Sequence, residues 1–197
     1  MTPDQPAKLS FEERFEKELD ALPDGWIVLL ETNAENALNV SLAAIKVLTD
    51  KDYISIIISA NRPCSNLLNL YKKSNIDTKK VFLLDCVCKN QAIEVRDSEN
   101  VLHLEDVSAL TNIAISINKI SGKLTGNKVI FVDSITTMLI HNKPDVFARF
   151  THSILTKMRI DGVNGLLVSL ENETNKEVRA EIAQLCDKVI KISGQSE

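Results

Sequence analysis

The chain has 197 residues, 44% of them hydrophobic and 25% charged, and carries a net charge of −4 at neutral pH. That is enough for a domain with a real core, gives no overall basic field for nucleic acid, and contains no apolar run near the ~20 residues that span a bilayer. The opening Met1-Thr2-Pro3-Asp4-Gln5 lacks the basic and apolar regions of a signal peptide, so a cytoplasmic location is expected.

Residues 1–9 read as a polar, flexible tail, and residues 10–197 as one domain. Ser10 followed by Glu13 is a capping-box pattern, and Phe11, Phe15, Leu19 and Leu22 form one apolar stripe, so a helix is expected over 10–22. Pro23-Asp24-Gly25 is a turn. Residues 26–30 read as a short buried strand and 38–48 as the helix after it. The β-branched run 53–59 is a second strand, ended by Asn61-Arg62-Pro63, and 64–74 a helix with Leu67, Leu68 and Tyr71 inward. A third strand is expected over 81–87, a polar excursion over 89–100, a short strand over 101–104 and a helix over 107–121. Residues 128–133 form a strongly apolar strand ending in a carboxylate, and 144–161 a long helix with Val146, Phe147, Phe150, Ile154 and Met158 on its buried face. A strand over 165–170, a helix over 175–185 and a strand over 188–192 complete the chain. Near-continuous apolar strands alternating with helices predict an α/β protein: three layers, a mostly parallel central sheet, and helices on both faces.

The connection between the first strand and its helix is the most informative segment. A nucleotide hydrolase carries G-x-x-x-x-G-K-[ST] there. This chain has Glu31-Thr32-Asn33-Ala34-Glu35-Asn36-Ala37-Leu38, without either glycine, the lysine or the magnesium-binding hydroxyl. Backbone amides and a lysine cradle phosphate because it is anionic. Glu31 and Glu35 read as loop charges, and each would oppose that anion, by about 3–4 kcal/mol before screening at ~4–6 Å and an effective dielectric of ~20. They would also sit favourably at the helix N-terminus, in effect replacing the phosphate, at roughly 0.3–1 kcal/mol per group.

From about residue 10 to 193 the chain resembles the RecA-like ATPase core in its KaiC-like, largely archaeal branch. Three stretches carry the resemblance. Val129-Ile130-Phe131-Val132-Asp133-Ser134 looks like a Walker B strand with its following serine. Ile56-Ile57-Ile58-Ser59-Ala60-Asn61-Arg62-Pro63 looks like the family's strand exit, and Cys186-Asp187-Lys188-Val189-Ile190 like its closing strand. The family's active members place a water-orienting carboxylate where Ala60 and Asn61 stand, and neither residue can act as a base. A Walker B aspartate such as Asp133 needs triphosphate and magnesium to complete its site. The resemblance therefore implies an inactivated member with a degenerate Walker A loop, similar to archaeal RecA-superfamily ATPases implicated in signal transduction.

No residue is assigned a catalytic role and no cofactor is implied. Asp133 is read as a remnant that accepts amide hydrogen bonds, with residual ligand or metal binding as the alternative. Asp85, also near a strand end, would help Asp133 hold a divalent ion if their strands were neighbours. Cys64, Cys86, Cys88 and Cys186 include C-x-C but no histidine at zinc-ligand spacing, so structural cysteine is favoured over metal or redox use. His103, His141 and His152 are scattered. Lys72, Lys73, Lys79 and Lys80 lack interleaved aromatics and read as a solvated face rather than a nucleic-acid patch. The functional expectation is a non-catalytic regulatory module that binds another protein, either further copies of itself or an active paralogue. The alternatives are an atypical magnesium-dependent nucleotide-binding protein or NTPase, and a recombinase-accessory paralogue.

Overall fold

A computed structural model describes residues 9–89, 96–171 and 175–192. All but Leu9 of the expected tail lies outside them. Among the described residues seven strands form one sheet: β1 Ile27–Thr32, β2 Ile54–Ser59, β3 Val81–Asp85, β4 Val101–His103, β5 Lys128–Asp133, β6 Asn164–Leu170 and β7 Lys188–Ile192. Their order is β4-β3-β2-β5-β6-β1-β7, every pairing is parallel, and β5 is central.

The two sheet faces are covered by different helices. Helices α1 Phe11–Asp20, α2 Ala37–Asp50 and α3 Cys64–Lys73 pack over Val28, Leu30, Ile57, Leu83, Val129 and Phe131. Helices α4 Leu110–Ser121, α5 Ile135–His141, α6 Pro144–Asp161 and α7 Lys176–Gln184 cover Ile27, Leu29, Ile56, Ile130, Val132 and Leu167. Alternate residues of each strand serve alternate faces, as the two-residue side-chain period requires. α1 begins at Ser10, whose hydroxyl accepts from the Glu13 amide while the Glu13 carboxylate accepts from the Ser10 amide, the reciprocal box expected from the sequence. At the opposite rim the buried Asn164 side chain accepts from the amides of Gly25 and Trp26 and donates to Lys128, so one amide joins β1, β5 and β6. Gly165 lets α6 approach: a Cβ there would lie 2.6 Å from the terminal methyl of Met158.

Three readings need correction, and one helix was not anticipated. The first strand extends to Thr32, because its ladder with β6 continues through Glu31↔Ser169 and Thr32↔Leu170. Glu31 and Thr32 are thus buried strand residues rather than loop residues. The segment after Asp133 is a helix, α5, capped by the Ser134 hydroxyl accepting from the Thr137 amide. Its seven residues are too short to show a helical period; Met138 and Leu139 are buried while Ile140 is 69% exposed. On α6 the buried positions are Phe147, Thr151, Leu155 and Met158. Val146 is exposed, and Phe150 and Ile154 are half-buried, so the stripe sits about one residue around the helix from the expected one. Finally, β2 lies between β3 and β5, pairing Ser59 with both Asp85 and Asp133. The two carboxylates therefore sit two strands apart, with Cα atoms roughly 9–10 Å from each other at ordinary strand spacing.

Candidate functional site

Open parallel α/β sheets bind ligands beyond the C-terminal ends of their strands, where successive connections leave in opposite directions. Here that point lies between β2, which leads toward β3, and β5, which leads toward β6. α2 begins nearby, after the turn Asn33–Asn36.

The turn spends its polar groups on itself. The Asn33 side-chain oxygen accepts from the Asn36 amide at 2.9 Å, and the Asn36 carbonyl accepts from Val40 at 2.9 Å. No charged residue occupies the first turn of α2, and its first basic side chain is Lys46. Glu35 is exposed. Glu31 is 4% exposed and shares the strand face of Ile27 and Leu29, opposite α2. There it pairs with Arg179 of α7, and Lys191 Nζ of β7 lies 3.5 Å from its second oxygen. Glu31 is therefore an internal ion-pair partner and does not confront an anion held by α2, which corrects the like-charge argument for that residue. Thr32, Ala37 and Leu38 complete the segment, with Thr32 fully buried at the strand end.

The strand-exit crevice is bridged by hydrogen bonds. The Ala60 amide donates to the Asp133 carbonyl at 3.0 Å, and the Ser59 hydroxyl donates to the Arg62 carbonyl at 2.6 Å. The Thr137 hydroxyl donates to the Asn61 side-chain oxygen. The Asp133 carboxyl points toward α2, where the buried Ser41 hydroxyl faces it without a well-formed hydrogen bond of its own. Ser41 has no special signature in the sequence; its relation to Asp133 comes only from packing α2 on β5.

Burial pushes the Asp133 carboxyl up to about 6, against the opposing pull of Ser41 and the Arg62 charge. An unfolded aspartate titrates near ~3.9. Below that pH both states hold the proton; between about 4 and 6 only the folded state keeps it, so this group makes stability fall as pH rises, and the full penalty stands above pH ~6. Asp133→Asn should therefore raise stability at pH 8 by roughly 1–3 kcal/mol and flatten the decline between pH 4 and 6. Chemical denaturation at pH 4, 6 and 8 measures this; a variant less stable than wild type at pH 8 would contradict it.

Asp85 has a different setting. It is fully buried. Its Oδ2 accepts from the Cys64 amide at 2.7 Å, and its Oδ1 accepts from Val87 at 2.8 Å and Cys88 at 3.0 Å. Burial opposes the charge, but those amides outweigh it and hold the carboxyl below its ordinary range. Beside it lie Cys64 at the start of α3 and His103 at the end of β4. Burial pushes the Cys64 thiol up to about 12, with Asp85 adding to the shift. The spacing reading found no histidine near a cysteine; the fold brings Cys64, Asp85 and His103 together from three separate segments. Asp85 is thus partnered with these residues rather than with Asp133.

A separate cleft of about 570 Å³ lies on the outer face of α2. Lys46 there pairs with Asp50, and Lys51 pairs with Glu16 and with Asp20 of α1.

The architecture is that of a RecA-like α/β protein. No protein-family profile matches the sequence, and no curated protein does. Among solved structures, the chain is similar to a KaiC-like protein of the hyperthermophilic archaeon Pyrococcus horikoshii OT3, at 12% identity and a TM-score of 0.64, over 89% of this chain and 74% of that one. A second P. horikoshii protein, solved in complex with an unknown peptide, matches at 14% identity and a TM-score of 0.64, over 93% and 84% of the two chains. The flagellar accessory protein FlaH of Methanocaldococcus jannaschii matches at 12% identity and a TM-score of 0.61, over 93% and 78%. At these identities the likeness is one of fold. Among the described residues no helix is long and apolar enough to cross a membrane.

Proposed function

We propose that this protein is a non-catalytic, KaiC-like pseudo-ATPase that acts as a regulatory module by binding another protein. The observation that carries the reading is the β1–α2 connection: a glycine-free turn closed on itself by Asn33 and Asn36, leading into a helix with no cation in its first turn. A triphosphate needs free, converging amides and a positive side chain at that place. Two further features support the same reading. Asn61, where the resemblance puts a catalytic carboxylate, is an amide that accepts from Thr137. A protein of similar fold was solved with a bound peptide, which makes a peptide segment of a partner a reasonable ligand class. The partner would be an active paralogue, another copy of the chain, or a component of a signalling pathway.

One observation favours the nucleotide-dependent alternative: the Ser41 hydroxyl faces Asp133, and a hydroxyl with a carboxylate is the pair that holds magnesium in P-loop enzymes. Calorimetry with ATP and magnesium, alongside phosphate release, separates the two. The expected result is no heat of binding up to millimolar ATP and no turnover. Micromolar affinity, or turnover abolished by Asp133→Asn, would establish the alternative instead.

A further inference from the structure

The edge of the sheet formed by β3 and β4 carries a donor set that the pseudo-ATPase reading leaves unused. Cys64 Sγ lies 3.4 Å from His103 Nε2, and His103 Nε2 lies 3.9 Å from Asp85 Oδ2. The sulfur, nitrogen and oxygen donor atoms all fall within 4.8 Å of one another. Around tetrahedral zinc, bonds of about 2.3 Å to sulfur and about 2.0–2.1 Å to nitrogen and oxygen put neighbouring donors about 3.4–3.6 Å apart. The Cys64–His103 separation is within a few tenths of an ångström of that ideal, and the His103–Asp85 separation is about half an ångström longer.

The groups behind these donors are also arranged for a cation. His103 Nδ1 lies 3.2 Å from Asp97 Oδ1, and the same oxygen accepts from the His103 amide at 2.8 Å. A carboxylate on Nδ1 holds its proton there and leaves the Nε2 lone pair facing Cys64 and Asp85, the arrangement found behind metal-bound histidines. A carboxylate offers about four lone-pair sites. On Asp85 both Oδ1 sites and one Oδ2 site are taken by amides, so the remaining site is on Oδ2, the oxygen nearest His103. Cys88 is 6% exposed and meets the same carboxylate through its backbone amide, while its thiol lies outside the group of three donors.

We propose that Cys64, Asp85 and His103 form a three-residue zinc site at this edge, with the fourth tetrahedral position left to a solvent ligand. Mixed sulfur, nitrogen and oxygen donors around a buried point suit zinc better than the oxygen-seeking magnesium or calcium. Binding would replace the Cys64 thiol proton with a metal–sulfur bond and release that proton to buffer, while His103 binds as the neutral base. The ion would tie the start of α3, the end of β3 and the edge strand β4 to one point. This is independent of whether nucleotide binds near Asp133.

The test uses the full chain, stripped with a chelator under reducing conditions and titrated with zinc or cobalt. Expected are one zinc per chain by mass spectrometry after desalting, release of about one proton on binding, and a zinc-dependent rise in Tm. Cobalt should give a thiolate-to-cobalt charge-transfer band with tetrahedral ligand-field bands. Cys64→Ser should remove the tight site. Asp97→Asn, which replaces none of the donor atoms, should keep the charge-transfer band but weaken affinity about 10–100-fold. Absence of the band in wild type, or zinc uptake unaltered in both Cys64→Ser and Asp97→Asn, would overturn the site. The wild-type and Asp97→Asn results decide the matter even if Cys64→Ser fails to fold.

Discussion

Phe147→Ala should destabilise the protein by about 3–5 kcal/mol, the range for emptying a fully buried aromatic site. Phe147 is 1% exposed, in the first turns of α6. It packs in an apolar layer with Ile130 and Val132 of β5 and Met138 of α5, with the Phe150 ring 6.1 Å away. Both β5 and α5 are pinned by their neighbours, so the layer cannot collapse far into the vacated volume, and the cost keeps both its transfer and its cavity parts. Phe150, half-buried on the same helix, should cost about half as much, and the exposed Val146 less than about 0.5 kcal/mol. Urea denaturation at constant slope measures all three. A loss under 1 kcal/mol for Phe147→Ala, or a larger loss for Phe150→Ala, would show that the buried stripe has been assigned to the wrong residues.

Arg179→Ala should cost about 2–4 kcal/mol. Removing one member of a buried pair leaves an uncompensated charge, for which about 3–5 kcal/mol is typical. The Glu31 side chain is 5% exposed and that of Arg179 27%, so solvent reaches one end of the pair and moderates the cost. Lys191 remains 3.5 Å from Glu31, but its side chain is 69% exposed and heavily screened. The double variant Glu31→Leu with Arg179→Met should lose much less than Arg179→Ala alone, because it removes both charges and keeps the volume. A double-mutant cycle by chemical denaturation reads the coupling directly. Additive losses would mean that Glu31 is satisfied by solvent, and that its place in the strand has no energetic consequence.

The parts of this fold that were legible in the sequence are those governed by short-range periodicity. Pro144–Asp161 opens on a proline at its first helical position and closes on Gly162 in a left-handed conformation, so both ends are marked by chemistry local to the helix. Lys128–Asp133 and Lys188–Ile192 are runs whose composition suits strands in any parallel sheet. The α/β class followed from the alternation of such runs, and the missing lysine and glycines of residues 31–38 were readable because a phosphate loop is a contiguous motif.

Tertiary structure decided everything that depends on partners far along the chain. Glu31 could be placed only once the ladder with β6 carried β1 two residues further, which turned its carboxylate toward Arg179, 148 positions away. Whether Asp85 meets Asp133 depended on strand order, and β2 inserts between them because it hydrogen-bonds on both edges. Cys64, Asp85 and His103 converge although 39 residues separate the cysteine from the histidine. Side-chain period and capping act over a few residues and leave their mark in the local sequence. Sheet order, strand register and helix docking arise from burying apolar faces against distant segments, and those choices are made only when the whole chain packs.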